Sequence, residues 1–274
     1  ADTECNRGIA DDRANGPLEV HVADDLLYRH WTQYKDGRRS HILHVDLATK
    51  KVRDLTPGDF DSPAFSLGGR GYDTDPKGEE ICFVSNREAP DARAYTTNKD
   101  LWVVSLKGEG APVNITGKNK AFDGEPLYSP TGEYIAYLMQ TIPGYESSRN
   151  RLALYHRKSG KVTNLTEGFD NTIYDFRWAA DGASLIFMAP VNGRYPLYRV
   201  QVKTGKITRI KNIPSVSGFD LSSKGEILFT FGRVGTPREL FLSTVKRENR
   251  RLTGFNDALV KEYDIRPAEE LWIP

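Results

Sequence analysis

Ser129-Pro130-Thr131-Gly132 runs directly into Glu133-Tyr134-Ile135-Ala136-Tyr137, a turn with glycine followed by a strand of alternating apolar residues. The phrase occurs three more times, with the turn glycine at Gly78, Gly182 and Gly225, so the four glycines lie 54, 50 and 43 residues apart. A β-unit that recurs at about 40–50 residues is typical of a propeller blade of four strands. The repeat therefore predicts a β-propeller.

A second phrase, out of step with the first, closes each unit with an apolar strand, a polar turn and a short strand ending in Leu-Thr or its equivalent. The short strand lies at Asp54–Thr56, Asn114–Thr116, Asn164–Thr166, Ile207–Ile210 and Arg251–Gly254. Five closing phrases against four opening ones predict an all-β fold, an incomplete β-propeller with four whole four-stranded blades and one partial blade. Blade boundaries are expected near residues 58, 117, 168 and 212.

The first blade lacks the innermost strand of the others. Its first hairpin is predicted from Leu26–Tyr34 and Ser40–Leu47, joined at Asp36-Gly37. Because open edge strands invite aggregation and four and a half blades are too few for most rings, the chain is interpreted as a fragment. In the alternative, a small closed ring, residues 1–25 supply the missing strand. The predicted organisation is an N-terminal extension at 1–25, blades at 26–255 and an exit segment at 256–274.

Composition excludes several classes of partner. The net charge is +1, from 38 basic and 37 acidic side chains, so neither nucleic acid nor a membrane is expected as a partner. No apolar run reaches the roughly 18 residues of a membrane span. Cys5 and Cys82 could form a disulfide, or Cys82 could be a small buried residue between Ile81 and Phe83. The compartment stays open, with a secreted or periplasmic location favoured over a cytoplasmic one.

The sequence contains no motif for catalysis, for a metal or for a cofactor. The glycine-rich stretch Gly68–Gly71 is followed by neither Lys-Ser/Thr nor a helix, so it is interpreted as a loop between strands rather than a phosphate site. Asn114-Ile115-Thr116 and Asn164-Leu165-Thr166 match glycosylation acceptors formally, but their place in the repeat already explains them. No catalytic residue, metal or cofactor is predicted.

Two interruptions of the repeat are of functional interest. The stretches Asn86–Asn98 and Gln140–Arg151 follow the opening strand in two successive units, where later blades have shorter links such as Val191–Arg194. Long loops at one repeat position fall on one face of a propeller, often the binding face. Each combines an aromatic residue, a carboxylate and arginines, which can bind the polar ends of a peptide. Taken alone, an ordinary surface loop remains the simpler explanation.

Several further stretches form a recognisable combination: Tyr28–Trp31, Asp36–His41, Phe65–Gly69, Thr97–Trp102, Pro143–Glu146 with Arg149, Leu252–Leu259 and Glu269–Trp272. Through these stretches the chain resembles the propeller of prolyl oligopeptidase family serine peptidases, nearest to the bacterial dipeptidyl peptidases and acylaminoacyl peptidases. The resemblance covers nearly the whole chain from about residue 20.

The resemblance implies a propeller that caps an α/β-hydrolase domain carrying a Ser-Asp-His triad. The hydrolase domain is expected to follow this chain, so whether the chain itself is an enzyme stays open. Short peptides and that domain are the implied partners, with the propeller gating access and holding the peptide's N-terminal end. Glu146 and Glu88 are the candidates for binding the ammonium group. Arg149 would orient Glu146 or meet a substrate carbonyl, and Tyr145 is the aromatic residue of the same loop.

Two other classes remain as alternatives. A stand-alone propeller of the TolB or WD-repeat type would act as a protein-binding module and needs no hydrolase domain. A propeller enzyme with its own site, such as a glycosidase or lactonase, requires inward carboxylates or metal ligands that the repeats do not contain.

Overall fold

The computed structural model of the chain describes residues 3–20, 22–23, 26–35, 37–65, 68–246, 248–266, 268–269 and 271–273. The remaining positions, including Asp36, Ser66, Leu67 and Glu270 of the stretches quoted above, lie outside the described residues. Most regular structure is β, and the described helices are α1 (Thr3–Asn15), α2 (Pro90–Arg93) and α3 (Asp257–Glu262). Helix α1 occupies much of the N-terminal extension, and the described residues of this part contain no strand. No helix among the described residues is long and apolar enough to cross a membrane.

The chain divides into two compact units, which are described separately. The first unit consists of Ala1–Thr74, Gly78–Pro126 and Ile142–Glu146, and the second of Asp75–Lys77, Leu127–Thr141 and Ser147–Pro274.

Two short hairpins open the first unit. Strand β1 (Arg29–His30) pairs with β2 (Gln33–Tyr34), and β3 (Leu43–Val45) pairs with β4 (Val52–Asp54). The predicted pairing of Leu26–Tyr34 with Ser40–Leu47 is therefore wrong. The chain reverses earlier, at Trp31 with a φ of 46°, and the Lys35 N–H donates to Tyr28 O at 2.8 Å.

Four sheets of four antiparallel strands follow, each with its strands in sequence order. They are β5 to β8 (Tyr72–Thr74, Glu80–Ser85, Asp100–Ser105, Val113–Asn114), β9 to β12 (Asp123–Tyr128, Tyr134–Met139, Arg151–His156, Lys161–Asn164), β13 to β16 (Asp175–Trp178, Ser184–Met188, Leu197–Gln201, Ile207–Arg209) and β17 to β20 (Gly218–Leu221, Ile227–Arg233, Thr236–Ser243, Asn249–Arg251). Such meanders are the blades that the repeat predicts. Every predicted boundary falls between two sheets.

The repeated glycines form the turns between the first and second strands. Gly78, Gly132, Gly182 and Gly225 have φ values of 69°, 70°, 65° and 79°, a region that side chains with a Cβ rarely adopt. The Gly132 N–H donates to Ser129 O at 2.8 Å, which closes the turn. This conformational requirement explains why the opening phrase keeps its glycine.

The Leu-Thr ending of the closing phrase has an equally local cause. A threonine hydroxyl accepts a hydrogen bond from a backbone N–H in, or directly before, the strand with which the short closing strand pairs. The pairs, each at 2.9 Å, are Thr56 with Ile42, Thr116 with Leu101, Thr166 with Leu152 and Thr253 with Leu240. In the remaining sheet the Ile210 N–H donates to Leu197 O, and the next residue, Lys211, has no hydroxyl.

Asn114 and Asn164 also belong to this closing structure. Their Oδ1 atoms accept the backbone N–H of Thr116 and Thr166 at 3.0 and 3.1 Å. These side chains therefore stabilise the turn after the outer strand, as their place in the repeat suggested.

Apolar side chains fill each unit. In the first unit Leu55, Ile81, Phe83 and Val104 pack into one buried cluster. Cys82 of β6 is fully buried, whereas Cys5 is exposed on α1, so Cys82 fits the small buried residue that alternation predicts. In the second unit Phe176, Phe187 and Leu185 are among the fully buried side chains of the largest cluster.

Candidate functional site

The two long loops both connect the second strand of a sheet to the third. Asn86–Asn98 joins β6 to β7 and contains α2, and Gln140–Asn150 joins β10 to β11. In the first unit they meet, because the Gly144 N–H donates to Thr97 Oγ1 at 3.0 Å. Gly144 has a φ of 73°, which the reversal of the second loop at this point requires.

Glu88 lies half-buried in the first of these loops. Its Oε1 accepts Asn98 Nδ2 at 3.0 Å, and its backbone N–H donates to Asn86 Oδ1 at 3.0 Å. Asn98 is buried, and its Oδ1 has no hydrogen-bond partner among the residues that the structure describes. The side-chain amide of the buried Asn98 thus fixes the orientation of the Glu88 carboxylate.

Arg87 fixes the beginning of the same loop on the sheet. Its guanidinium carbon lies over the rings of Trp102, Phe60 and Phe83, at 4.4, 5.2 and 5.5 Å from their centroids. Burial lowers the pKa of Arg87 from its ordinary value. These cation–π contacts hold the Arg87 guanidinium in place and so restrict the backbone of the next residue, Glu88.

Glu146 and Tyr145 are exposed residues of the second loop. The charge of Glu146 acts on Lys99, whose Nζ lies 5.8 Å from the centroid of the Phe122 ring. Burial lowers the pKa of Lys99, and the Glu146 carboxylate opposes this effect. Within the first unit, Lys99 is therefore close enough to Glu146 for the carboxylate to favour its charged form.

Arg149, the fourth predicted binding residue, lies in the second unit. Its Nη1 donates to Asp170 Oδ1 and its Nη2 to Glu167 O, both at 3.4 Å. The first unit thus contains Glu88, Tyr145 and Glu146, whereas Arg149 is held by residues of its own unit.

A buried pair of carboxylates beside this site escaped the sequence analysis. Asp100 is buried and its Oδ2 accepts Asn114 Nδ2 at 2.8 Å. Asp123 is fully buried, and its Oδ1 accepts Asn119 Nδ2 at 2.9 Å. Burial, with a further contribution from the charge of Asp100, raises the pKa of Asp123 to about 8, although the hydrogen bonds to Asn119 and Thr116 oppose the shift. Burial also raises the pKa of Asp100.

Asp123 occupies a position that is aliphatic in other repeats. Its N–H donates to Lys99 O at 2.8 Å, as the N–H of Ile173 donates to Asn150 O and that of Val216 to Tyr195 O. Ile173 and Val216 are both buried. An alignment on the closing threonine places Asp123 and Ile173 together, each seven residues after Thr116 or Thr166, and would have revealed this carboxylate in an apolar position.

The glycine-rich stretch binds a carboxylate of the chain itself. The Arg70 N–H donates to Glu125 Oε2 at 2.8 Å, and a Cβ on Gly69 would lie 1.7 Å from Glu125 Oε1. This agrees with a loop between strands. Among the described residues, no group of three or more His, Cys, Asp or Glu side chains could hold a metal ion.

The sequence is similar to those of known dipeptidyl peptidases. No family model matches the sequence. Dipeptidyl-peptidase 5 of Porphyromonas gingivalis is 28% identical over 207 residues, which cover 73% of this chain and 29% of that protein. Dipeptidyl-peptidase 5 of Porphyromonas endodontalis is 31% identical over 209 residues, covering 73% of this chain and 30% of that protein. The chain therefore spans about three tenths of the length of these relatives.

Solved structures share the fold. Acylaminoacyl peptidase of Pyrococcus horikoshii matches with a TM-score of 0.65 and 19% identity, over 91% of this chain and 36% of that one. TolB of Acinetobacter baumannii matches with a TM-score of 0.50 and 16% identity, over 77% of this chain and 48% of that one. The β-propeller fold and the resemblance to the propeller of prolyl oligopeptidase family peptidases are both confirmed.

Proposed function

We propose that this chain, a β-propeller relative of the dipeptidyl-peptidase 5 proteins, controls access and binds the N-terminal end of short peptides for a serine-peptidase domain of the prolyl oligopeptidase type. The observation that carries the proposal is the hydrogen bond between Gly144 and Thr97. It brings together the two loops that contain Glu88 and Glu146. The first loop ends at Asn98, which binds Glu88, and the second loop contains Glu146, whose charge acts on the next residue, Lys99.

The chemistry of these loops suits an ammonium group. A peptide N-terminus carries one positive charge, and a carboxylate at hydrogen-bond distance stabilises that charge best where water is partly excluded. Glu88 is half-buried and oriented by Asn98, whereas Glu146 is on a loop whose position depends on Thr97. Tyr145, about half exposed, offers an apolar surface to the first side chain of the peptide.

Lys99 supplies the positive charge beside Glu146 while no peptide is bound. An incoming ammonium group would take over the interaction with Glu146. Burial lowers the pKa of Lys99, so Lys99 would release a proton more readily than an exposed lysine once the substrate takes over Glu146. Lys99 is therefore proposed to keep Glu146 oriented and to give way to the substrate.

The test is calorimetric titration of the chain with the tripeptide Ala-Phe-Ala and with its N-acetylated form. A charge-assisted hydrogen bond contributes about 1.5–3 kcal/mol, so Glu146→Gln should weaken binding of the free peptide about tenfold to hundredfold. The affinity for the acetylated peptide should change little, because this peptide has no ammonium group. Glu109→Gln, which removes an exposed carboxylate between β7 and β8, is the matched control and should change neither titration. An equal loss for free and acetylated peptides would assign Glu146 a structural role instead.

A stand-alone protein-binding module is the second candidate, since the TolB propeller shares the fold. For such a module, short peptides should bind without regard to a free N-terminal amine, or not bind at all. The comparison of Ala-Phe-Ala with its acetylated form therefore separates the two functions.

A further inference from the structure

The second unit contains a groove of about 1150 Å³ that shares no residue with the site around Glu146. Three connections form it: the turn Asn192–Tyr195 between β14 and β15, the segment Pro214–Ser217 between β16 and β17, and the end of the β18–β19 hairpin around Arg233. Leu271 and Trp272 add an apolar wall.

The turn between β14 and β15 presents an arginine and a tyrosine to this groove. Val191 and Arg194 exchange backbone hydrogen bonds of 2.8 and 3.0 Å across Asn192 and Gly193, whose φ values are 49° and 69°. Two residues with positive φ make the tight hairpin turn that fits strand twist. The Tyr195 N–H donates to Ser215 Oγ at 2.9 Å, which fixes the turn against the neighbouring segment.

The hairpin on the other side presents two more arginines. Strands β18 and β19 have seven and eight residues, with an irregularity between Phe231 and Arg233. A Cβ on Gly232 would lie only 2.6 Å from Arg238 Cγ, so glycine allows the Arg238 stem to pack against the opposite strand. Arg233 Nε donates to Thr236 Oγ1 at 3.5 Å, which keeps this side chain near the hairpin end.

The described residues that line the groove carry charge of one sign. Its described lining residues include Arg194, Arg233 and Arg238 but no Asp, Glu or Lys. All three arginines are exposed. The remaining walls are largely aromatic and apolar, and the rings of Tyr174 and Tyr195 meet edge to face at 5.7 Å. Guanidinium groups bind carboxylates through paired hydrogen bonds, while such walls bury apolar side chains.

We propose that this groove binds short peptides that carry carboxylates next to an apolar or aromatic side chain. Three guanidiniums around an apolar floor complement such a ligand in charge and in polarity. A phosphate or a carboxylated sugar would satisfy the arginines but leave the aromatic wall unused. The site is independent of the proposed ammonium site, because its described lining includes none of that site's residues and its ligand needs no free N-terminal amine.

The experiment titrates the chain with N-acetyl-Glu-Phe-Glu-amide and with the neutral N-acetyl-Gln-Phe-Gln-amide. The acidic peptide should bind about tenfold more tightly than the neutral one in about 50 mM salt, and the difference should shrink in about 300 mM salt because the screening length falls. Arg194→Gln and Arg238→Gln should each weaken only the acidic peptide, by about tenfold. Arg209→Gln, an exposed arginine of β16, should change nothing, and neither should Glu146→Gln.

Three results would overturn the proposal. The first is equal binding of the acidic and neutral peptides to the unmodified chain. The second is an equal loss in Arg209→Gln and Arg194→Gln, since a diffuse charge effect would then explain the binding. The third is binding of trigalacturonate, a carboxylated sugar without apolar side chains, at least as tightly as the acidic peptide. Arg194 lies exposed in a turn, so its variant should retain the native unfolding transition and keep the test valid.

Discussion

The Gly144 N–H donates to Thr97 Oγ1 at 3.0 Å, and this hydrogen bond joins two loops through residues that are 47 positions apart in the chain. Each loop by itself is a surface connection that contains one carboxylate. Because the hydrogen bond joins them, Glu88 and Glu146 belong to the same unit, near Lys99.

Removal of the Thr97 hydroxyl should loosen this arrangement. Thr97→Val keeps the shape of the side chain but removes the acceptor, and one hydrogen bond contributes about 0.5–1.5 kcal/mol. Binding of Ala-Phe-Ala should therefore weaken about twofold to tenfold, with faster amide exchange in Ile142–Glu146. The control is Thr204→Val, which removes a hydroxyl that accepts the Lys206 N–H in a turn of the second unit. This variant should leave peptide binding unchanged. Similar weakening in both variants would argue against the loop contact.

Substitution of Lys99 should strengthen binding of free peptides. Lys99→Met keeps an unbranched stem beside Phe122 and removes the charge that faces Glu146. If the substrate ammonium replaces the lysine, Ala-Phe-Ala should bind several-fold more tightly to Lys99→Met and the acetylated peptide should not. Weaker binding of the free peptide would mean that Lys99 instead orients the carboxylate in the bound state.

Asp123 should make stability depend on pH. Its pKa is raised to about 8 in the folded chain from an ordinary 3.8, so between these values the folded state holds a proton that the unfolded state releases. The free energy of unfolding should therefore decrease as pH rises through this window, by up to about 1.4 kcal/mol per pH unit, and level off above pH 8.

The isosteric variant Asp123→Asn tests this dependence. It should be more stable than the unmodified chain near pH 8.5, and its unfolding midpoint in urea should vary less with pH between 5.5 and 8.5. Glu109→Gln, which removes an exposed carboxylate, should leave the original pH dependence unchanged. Identical pH profiles for Asp123→Asn and the unmodified chain would contradict the raised pKa.

The closing threonines should be needed for stability. Thr166→Val leaves the buried Leu152 N–H without its hydroxyl acceptor, which costs about 1–3 kcal/mol. Urea denaturation should show this loss as a lower midpoint with little change in slope. Thr163→Val, at an exposed position of β12, should be nearly neutral because valine suits a strand. Equal effects of the two substitutions would refute the role of the buried hydroxyl.

The chain by itself should hydrolyse no peptide. The resemblance assigns the nucleophile to a hydrolase domain, so dipeptidyl and aminoacyl chromogenic substrates should give no turnover above buffer. A fluorophosphonate should label no serine. Labelling of any serine within this chain, confirmed by peptide mapping, would place a nucleophile here and contradict the division of roles.

The parts of the fold that could be predicted are those with a local cause. Gly132 is needed where the backbone takes a positive φ, and Thr166 is needed where a strand begins with an N–H to satisfy. The glycine recurs in all four sheets and the threonine in three of them, which leaves a visible repeat. The first hairpin was mispredicted because its reversal depends on Trp31 with positive φ, which no turn signal announces.

The sequence by itself determined the blade repeat, the boundaries between sheets and the two loops of unusual length, because strand alternation and turn chemistry act within a few residues. Tertiary structure alone decided which loop residues meet. Arg149 follows Glu146 by only three residues, yet it binds Asp170, whereas the charge of Glu146 acts on Lys99 of a distant segment. The burial of Asp123 is likewise a tertiary effect, because the packing that excludes water from its carboxyl group, and so raises its pKa, comes from residues that assemble only in the fold.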